Sequence, residues 1–271
     1  MFWSVLETIV FYWLWAERPE KKMGELFKFF ADLHVHTALS PCADDSATPP
    51  NIVASAIENG MQMIAVTDHN SAENVEAVVK CGKLHGLKVI PGMEIASREE
   101  VHLVCLLRSV ENALELQHIV YAALPDEQNR PEYFGRQFVM DREGNTRGEC
   151  MRLLMGAADM SLDDVIRKVH RLGGLIIAAH VDRPSFSVIA NLGMVPPDAE
   201  FDALEISAAL QRDEAVAKFP FIDRFPIVTA SDAHFPGDIG GSPTLFLLEK
   251  MDIDEIRMAL QGRGEREYLI Q

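Results

Sequence analysis

A chain of 271 residues, 48% of them apolar, is long enough to bury one large core, and α/β barrels of this size are ordinarily single domains. Its 41 Asp and Glu against 25 Lys and Arg give a formal net charge of −16, which argues against adhesion to long duplex nucleic acid through clustered cations. Cys42, Cys81, Cys105 and Cys150 form no C-x-x-C pair and no disulfide-like density, which suits reduced thiols and a cytoplasmic location.

Residues 1–24 read as an apolar N-terminal extension, and residues 25–271 as the functional unit. The extension is too short for a membrane span, is interrupted by Glu7, and lacks the cationic leader of a secretory signal. It reads as an exposed segment or as residues upstream of a start at Met23. Membrane-surface contact through residues 1–22 is the less favoured alternative, because interfacial helices usually carry a basic face.

The first predicted strand, 27–35, ends in Asp32, His34 and, one residue beyond it, His36; strict alternation would put all three on one face. A helix is predicted over 50–59, then a strand over 61–67 that runs into Asp68 and His69. After a helix over 72–84, the strand at 87–93 leads into Glu94. The next apolar run, 101–107, carries His102 near its start, the wrong end unless that strand is kinked or reversed. An insertion over about 108–173 follows, with helices at 109–124 and 161–172. Between them FVMDREGNTRGEC reads as a hairpin turning at Glu143-Gly144-Asn145. Strands at 174–179, 203–206, 227–230 and 244–248 and helices at 213–219 and 252–261 complete the chain, with His180 after the first of these strands and Asp232 and His234 after the third. The alternation predicts a parallel βα barrel or a doubly wound sheet.

The polar groups fall at the carboxyl ends of strands, the face where βα barrels assemble active sites. One histidine at a strand end is ordinarily a hydrogen-bonded structural residue, and Asp68 or Asp232 alone could cap a helix. Five such groups at successive strand ends resist explanation as independent caps. Imidazoles mixed with carboxylates favour Zn, Mn or Fe over Mg or Ca, and a metal pair would neutralise a phosphate in a chain poor in cations. His85, His118 and His170 lack carboxylates at ligand spacing and read as ordinary helix residues.

The ordered segments DLHVHT, AVTDHNS, GMEI followed by VHLV, AAHVDR and SDAH resemble the motifs of the polymerase and histidinol phosphatase (PHP) family of metal-dependent phosphoesterases. The resemblance implies a distorted TIM-like (β/α)7 barrel holding two or three divalent metal ions. Carried over, it implies that His34, His36, Glu94 and Asp232 hold one metal, that Glu94 bridges to a second held by His102 and His180, and that His69 and His234 hold a third. The family's further ligand after the H-x-H pair has no clear counterpart; Asp44 is favoured, with Cys42 as the rival because a thiolate would bias the site towards Zn. Asp32 and Asp68 are expected to orient ligand histidines. Catalysis is expected to depend on Glu94, Asp232 and His36, with Arg183 either clamping a phosphate or forming a surface salt bridge.

The implied reaction is hydrolysis of a small phosphomonoester, nucleoside bisphosphate or short oligonucleotide end by metal-activated hydroxide. Two alternatives stand beside it: a metal-dependent hydrolase of a C–N or C–O bond, and a noncatalytic metal-binding regulatory module.

Overall fold

The computed structural model describes residues 24–270, so the apolar leader and its membrane reading lie outside the described residues. Nine strands form one sheet in the order β11-β10-β1-β2-β3-β4-β7-β8-β9. They are β1 (Phe27–Val35), β2 (Met63–Val66), β3 (Lys88–Ala96), β4 (His102–Leu106), β7 (Leu175–Ala178), β8 (Ala203–Ile206), β9 (Ile227–Thr229), β10 (Thr244–Leu248) and β11 (Glu267–Ile270). A separate hairpin pairs β5 (Phe138–Met140) with β6 (Thr146–Glu149), as its turn residues predict. Asp141 closes that turn by accepting the Glu143 and Asn145 N–H groups, and Gly144 takes the left-handed φ of +83°.

β1, β2 and β3 run parallel, as do β7, β8 and β9, but β4 is antiparallel to both of its neighbours, β3 and β7. The reason is local. Only residues 97–101 join β3 to β4, closed by Ser97 N–H to Val101 O and Glu100 N–H to Ser97 O. A parallel return needs a crossover of about a dozen residues, so this link permits only a reversal. The amino end of β4 therefore lies with the carboxyl ends of its neighbours, which resolves the misplaced His102. The sequence carried that signal in the short gap between the two predicted strands.

The sheet curls until the end of β1 meets the segment after β9, where His36 N–H donates to Ala233 O and Ala233 N–H to His34 O, and side chains of β10 and β11 add to the closure. Thr244 Oγ1 accepts from Thr229 N–H and donates to Thr229 O, and Tyr268 OH accepts from Ile227 N–H. β1 to β4 and β7 to β9 thus form a distorted, nearly closed barrel of seven strands, with β10 and β11 added beyond β1. Ala31, Leu33, Met63, Ala65, Ile90, Val104, Ile177 and Val228 share one apolar cluster on the inner face. The opposite face packs against the outer helices, among them Pro49–Glu58, Val75–His85, Val110–Ala123 and Leu162–Arg171. The last of these shows why such helices form: Ser161 and Asp164 make a reciprocal capping box, and Leu162, Val165, Ile166 and Val169 make one buried stripe. Burying side chains of this size stabilises by about 1.5–3 kcal/mol each.

Candidate metal centre

The site begins with a fault in β1. Asp32 lies opposite Ile64 and Val35 opposite Val66, so β1 spends three steps where β2 spends two, which is a β-bulge. Ala31 and Leu33 belong to the inner cluster while Val35 belongs to the outer one. Strict alternation therefore fails, and the expectation that Asp32, His34 and His36 share a face is corrected. His34 and His36 converge on Glu94, whereas the Asp32 carboxylate accepts hydrogen bonds from Ser231 N–H, Ser231 Oγ and Gly240 N–H and meets His34 only at its backbone. Its role is to fasten the loop that carries Asp232 and His234.

Glu94 is the centre of the cluster. It is 1% exposed, and one or other oxygen lies 2.9–3.5 Å from a ring nitrogen of His34, His36, His69, His102 and His180. Neither oxygen has a partner in hydrogen-bond geometry, and His180 Nδ1 is likewise buried without one. Buried polar atoms left this way are unusual and destabilising unless something else satisfies them. Asp232 Oδ1 lies 3.3 Å from His34 Nε2, 3.2 Å from His36 Nε2 and 3.6 Å from His234 Nδ1. Three sets place their donor atoms within 4.8 Å of one another: His34, His36 and Asp232; His69, Glu94 and His102; His36, His69 and His234. Convergent imidazoles and carboxylates with orphaned oxygens suit a group of divalent cations.

Two of these residues adopt backbone conformations that non-glycine residues seldom take. His180 has φ +30° and Asp232 φ +50°, directly after β7 and β9. Such strain persists where surrounding bonds over-determine it, as here: the Glu205 carboxylate accepts the His180 N–H, and Asp32 holds Ser231.

Glu205 is the residue that sequence reasoning missed. Both of its oxygens face His34 Nδ1, at 3.2 and 3.0 Å, so it sets the orientation of that ring. Asp68 works at one remove, accepting from Thr37 N–H, Thr37 Oγ1 and Ser40 Oγ, while Ser40 Oγ meets His36 Nδ1 at 2.9 Å.

The residue after the H-x-H pair also departs from expectation. The Asp44 carboxylate accepts the Ser46 N–H at an exposed turn and joins none of the three donor sets. Cys42 Sγ lies 3.1 Å from His234 Nε2 and shares its cavity with His69. The backbone N–H of Asp44 donates to His234 O, so Asp44 braces the loop rather than facing the cluster. His85 and His118 are exposed, and His170 pairs with Asp202, all outside the cluster.

The electrostatics follow from crowding. Burial opposes charge on Glu94, yet His102, His34 and His69 hold its carboxyl well below the usual range. Burial drives His36 well below its ordinary value. On His69 burial is outweighed by Glu94 and Cys42, which lift it to about 10. Burial would raise the Cys42 thiol, but His234 and His69 bring it down to about 7, within reach of thiolate at neutral pH.

The cluster opens into a cavity of about 200 Å³ lined by Cys42, His69, His102, Met155, Arg183 and Phe186 among others. Arg183, exposed at its mouth, forms an ion pair with Asp232.

A family model described as PHP domain matches residues 32–174. The uncharacterized protein YqxK of Bacillus subtilis is 24% identical over 259 residues, covering 89% of this chain and 64% of YqxK. The 5'-3' exoribonuclease Rnm of Escherichia coli is 25% identical over 226 residues, covering 66% of this chain and 75% of Rnm. Among solved structures, the lesion-specific endonuclease PfuEndoQ of Pyrococcus furiosus is similar with a TM-score of 0.66 at 20% identity, over 89% of this chain and 58% of that chain. Endonuclease Q in complex with a 27-mer duplex substrate, an abasic lesion at its active site, gives a TM-score of 0.64. This chain spans about three fifths of the length of YqxK and of the endonuclease.

Proposed function

Because the chain belongs to the PHP family, whose domain model spans more than half of it, we propose that it is a metal-dependent phosphoric ester hydrolase acting on a nucleotide or the end of a short oligonucleotide. The observation that carries this reading is Glu94, a buried carboxylate with two unpartnered oxygens amid five imidazoles. In this proposal His34, His36, Glu94 and Asp232 hold one cation, and Glu94, His102 and His180 a second. His69, His234 and Cys42 hold a third, Cys42 replacing Asp44. Bound there, Mn, Zn or Fe would supply the Lewis acidity that activates water and offsets phosphate charge. Glu205 fixes the His34 ring, and Arg183 offers its guanidinium to a phosphate oxygen in exchange for Asp232.

The nucleic-acid class is favoured by the names of the relatives, an exoribonuclease and a lesion endonuclease. A chain at −16 has few cations with which to follow a long duplex, but endonuclease Q is solved with one, so duplex DNA belongs in the test. The four thiols are unpaired, in keeping with a cytoplasmic assignment.

The test is elemental analysis of protein purified without chelator, paired with phosphate release from nucleoside bisphosphates and simple phosphomonoesters and with strand cleavage or nucleotide release from short oligonucleotides and duplex DNA, with a lactone and an amide as controls. The expected result is two or more metals per chain and phosphoester hydrolysis that falls at least ~100-fold in Glu94→Gln and Asp232→Asn. Bound metal with turnover only of the lactone or amide would overturn the phosphoesterase reading.

A further inference from the structure

We infer that Phe186 is a stacking platform for the nucleobase of the nucleotide whose phosphate faces Glu94 and Arg183; this rests on the phosphoesterase reading above. Phe186 lies between β7 and the helix Val188–Leu192, and it is 46% exposed, an unusual position for a phenyl ring beside a buried polar cluster. One ring face is occupied: it lies on the His102 imidazole, centroids 4.8 Å apart at 19°. Phe186 also lines the cavity that the metal-site residues line, and nearly half of its surface is left open there.

The position is enforced by the backbone. Phe186 has φ +55°, a region aromatic residues rarely enter, and its carbonyl accepts the His102 N–H at 2.9 Å. Ser187 Oγ donates to Arg183 O at 2.7 Å and caps the following helix, closing the turn so that Arg183 and Phe186 both line the cavity. Met155, 41% exposed, adds a polarizable apolar side chain to the same lining.

The chemistry of the occupant follows from what the mouth lacks. Arg183 is the sole Arg or Lys lining this cavity among the described residues, the histidines there being the candidate metal ligands, and Asp232 already claims it. Affinity for whatever flanks the phosphate must therefore come from uncharged contact. A nucleobase offers a flat π face, and such stacking tolerates any base identity. A ring that merely shielded His102 from water would serve every substrate alike.

The test compares binding of adenosine 5'-monophosphate and ribose 5-phosphate, each as its non-hydrolysable methylenephosphonate analogue, to the metal-loaded protein by calorimetry, with metal content measured on the same samples. Wild type is expected to bind the base-bearing ligand about 5- to 150-fold more tightly, the range of one base–aromatic stack. Phe186→Ala should erase that ratio while leaving ribose 5-phosphate affinity and metal content unchanged, and Phe186→Trp should retain it. Equal affinities in wild type would overturn the inference. So would an alanine variant that weakens both ligands together or loses metal, since that behaviour belongs to a cover for His102. The ratio is read without turnover, so failure of the phosphoesterase reading, seen as no hydrolysis of any phosphomonoester or phosphodiester, is distinguished from failure of the platform.

Discussion

Glu205 illustrates how one residue governs a site it does not complete. Its carboxylate is 2% exposed and faces His34 Nδ1, the nitrogen turned away from Glu94 and Asp232. Glu205→Gln keeps the shape and removes the charge that makes the ring a strong donor. We expect metal affinity to fall ~10- to 100-fold, read as metal retained against a competing chelator, with the circular dichroism spectrum intact. Metal held as tightly as in wild type would show that the charge is dispensable. The histidines, Glu94 and Asp232 were legible because their residue types are anomalous at the ends of apolar runs. Glu205 left a fainter trace, as the one charged residue in the predicted strand at 203–206. Asp32 was misread because a bulge cannot be seen in strict alternation.

At the scale of elements, β3 and β4 must lie close for Glu94 and His102 to meet, and Gly92 permits it. A Cβ at Gly92 would stand 2.7 Å from Cys105 O and 3.1 Å from Val66 O, both backbone atoms of neighbouring strands. Gly92→Ala should destabilise the fold by about 1–3 kcal/mol, measured as a lowered urea midpoint, and should reduce bound metal by parting the strands. An unchanged midpoint would mean that the sheet absorbs the methyl. A second element-scale prediction concerns His170, whose Nε2 lies 2.9 Å from Asp202 Oδ2 and ties the last turn of helix Leu162–Arg171 to the residue before β8. The hydrogen bond to Asp202 raises His170 above its ordinary 6.5. A raised value in the fold means that the charged pair stabilises fully below about pH 6.5 and that its contribution is lost as pH rises through the folded value. The stability advantage of wild type over His170→Gln, read from melting temperature, should therefore be present below the ordinary 6.5 and fade as pH rises above it through the raised folded value, with a size below ~1 kcal/mol for a partly solvated pair. An advantage independent of pH would assign the effect to packing.

For the whole molecule, six barrel strands and the reversed β4 converge buried imidazoles and carboxylates, some of their atoms orphaned, at one end, so the fold itself should depend on what binds there. Metal at about 100 times its dissociation constant would stabilise by about 2.7 kcal/mol. Chelator treatment should lower the unfolding temperature in scanning calorimetry, and added Zn or Mn should restore it; identical transitions with and without chelator would refute the coupling. Among the described residues no helix is long and apolar enough to cross a membrane.

Residue type and order along the chain were enough to identify a βα barrel, its site-bearing face and most of the polar cluster, because hydrophobic periodicity and ligand chemistry are local properties. Tertiary structure decided the rest. The reversal of β4 brings His102 to Glu94, and the bulge in β1 keeps the Asp32 carboxylate out of the cluster that the His34 and His36 rings enter. The distant Glu205 lies behind His34, and the loop after β1 turns Cys42, rather than Asp44, towards His234. Apart from the reversal, which the short link between β3 and β4 also signals, each depends on strand register and on contacts between residues far apart in sequence, which composition and spacing do not encode.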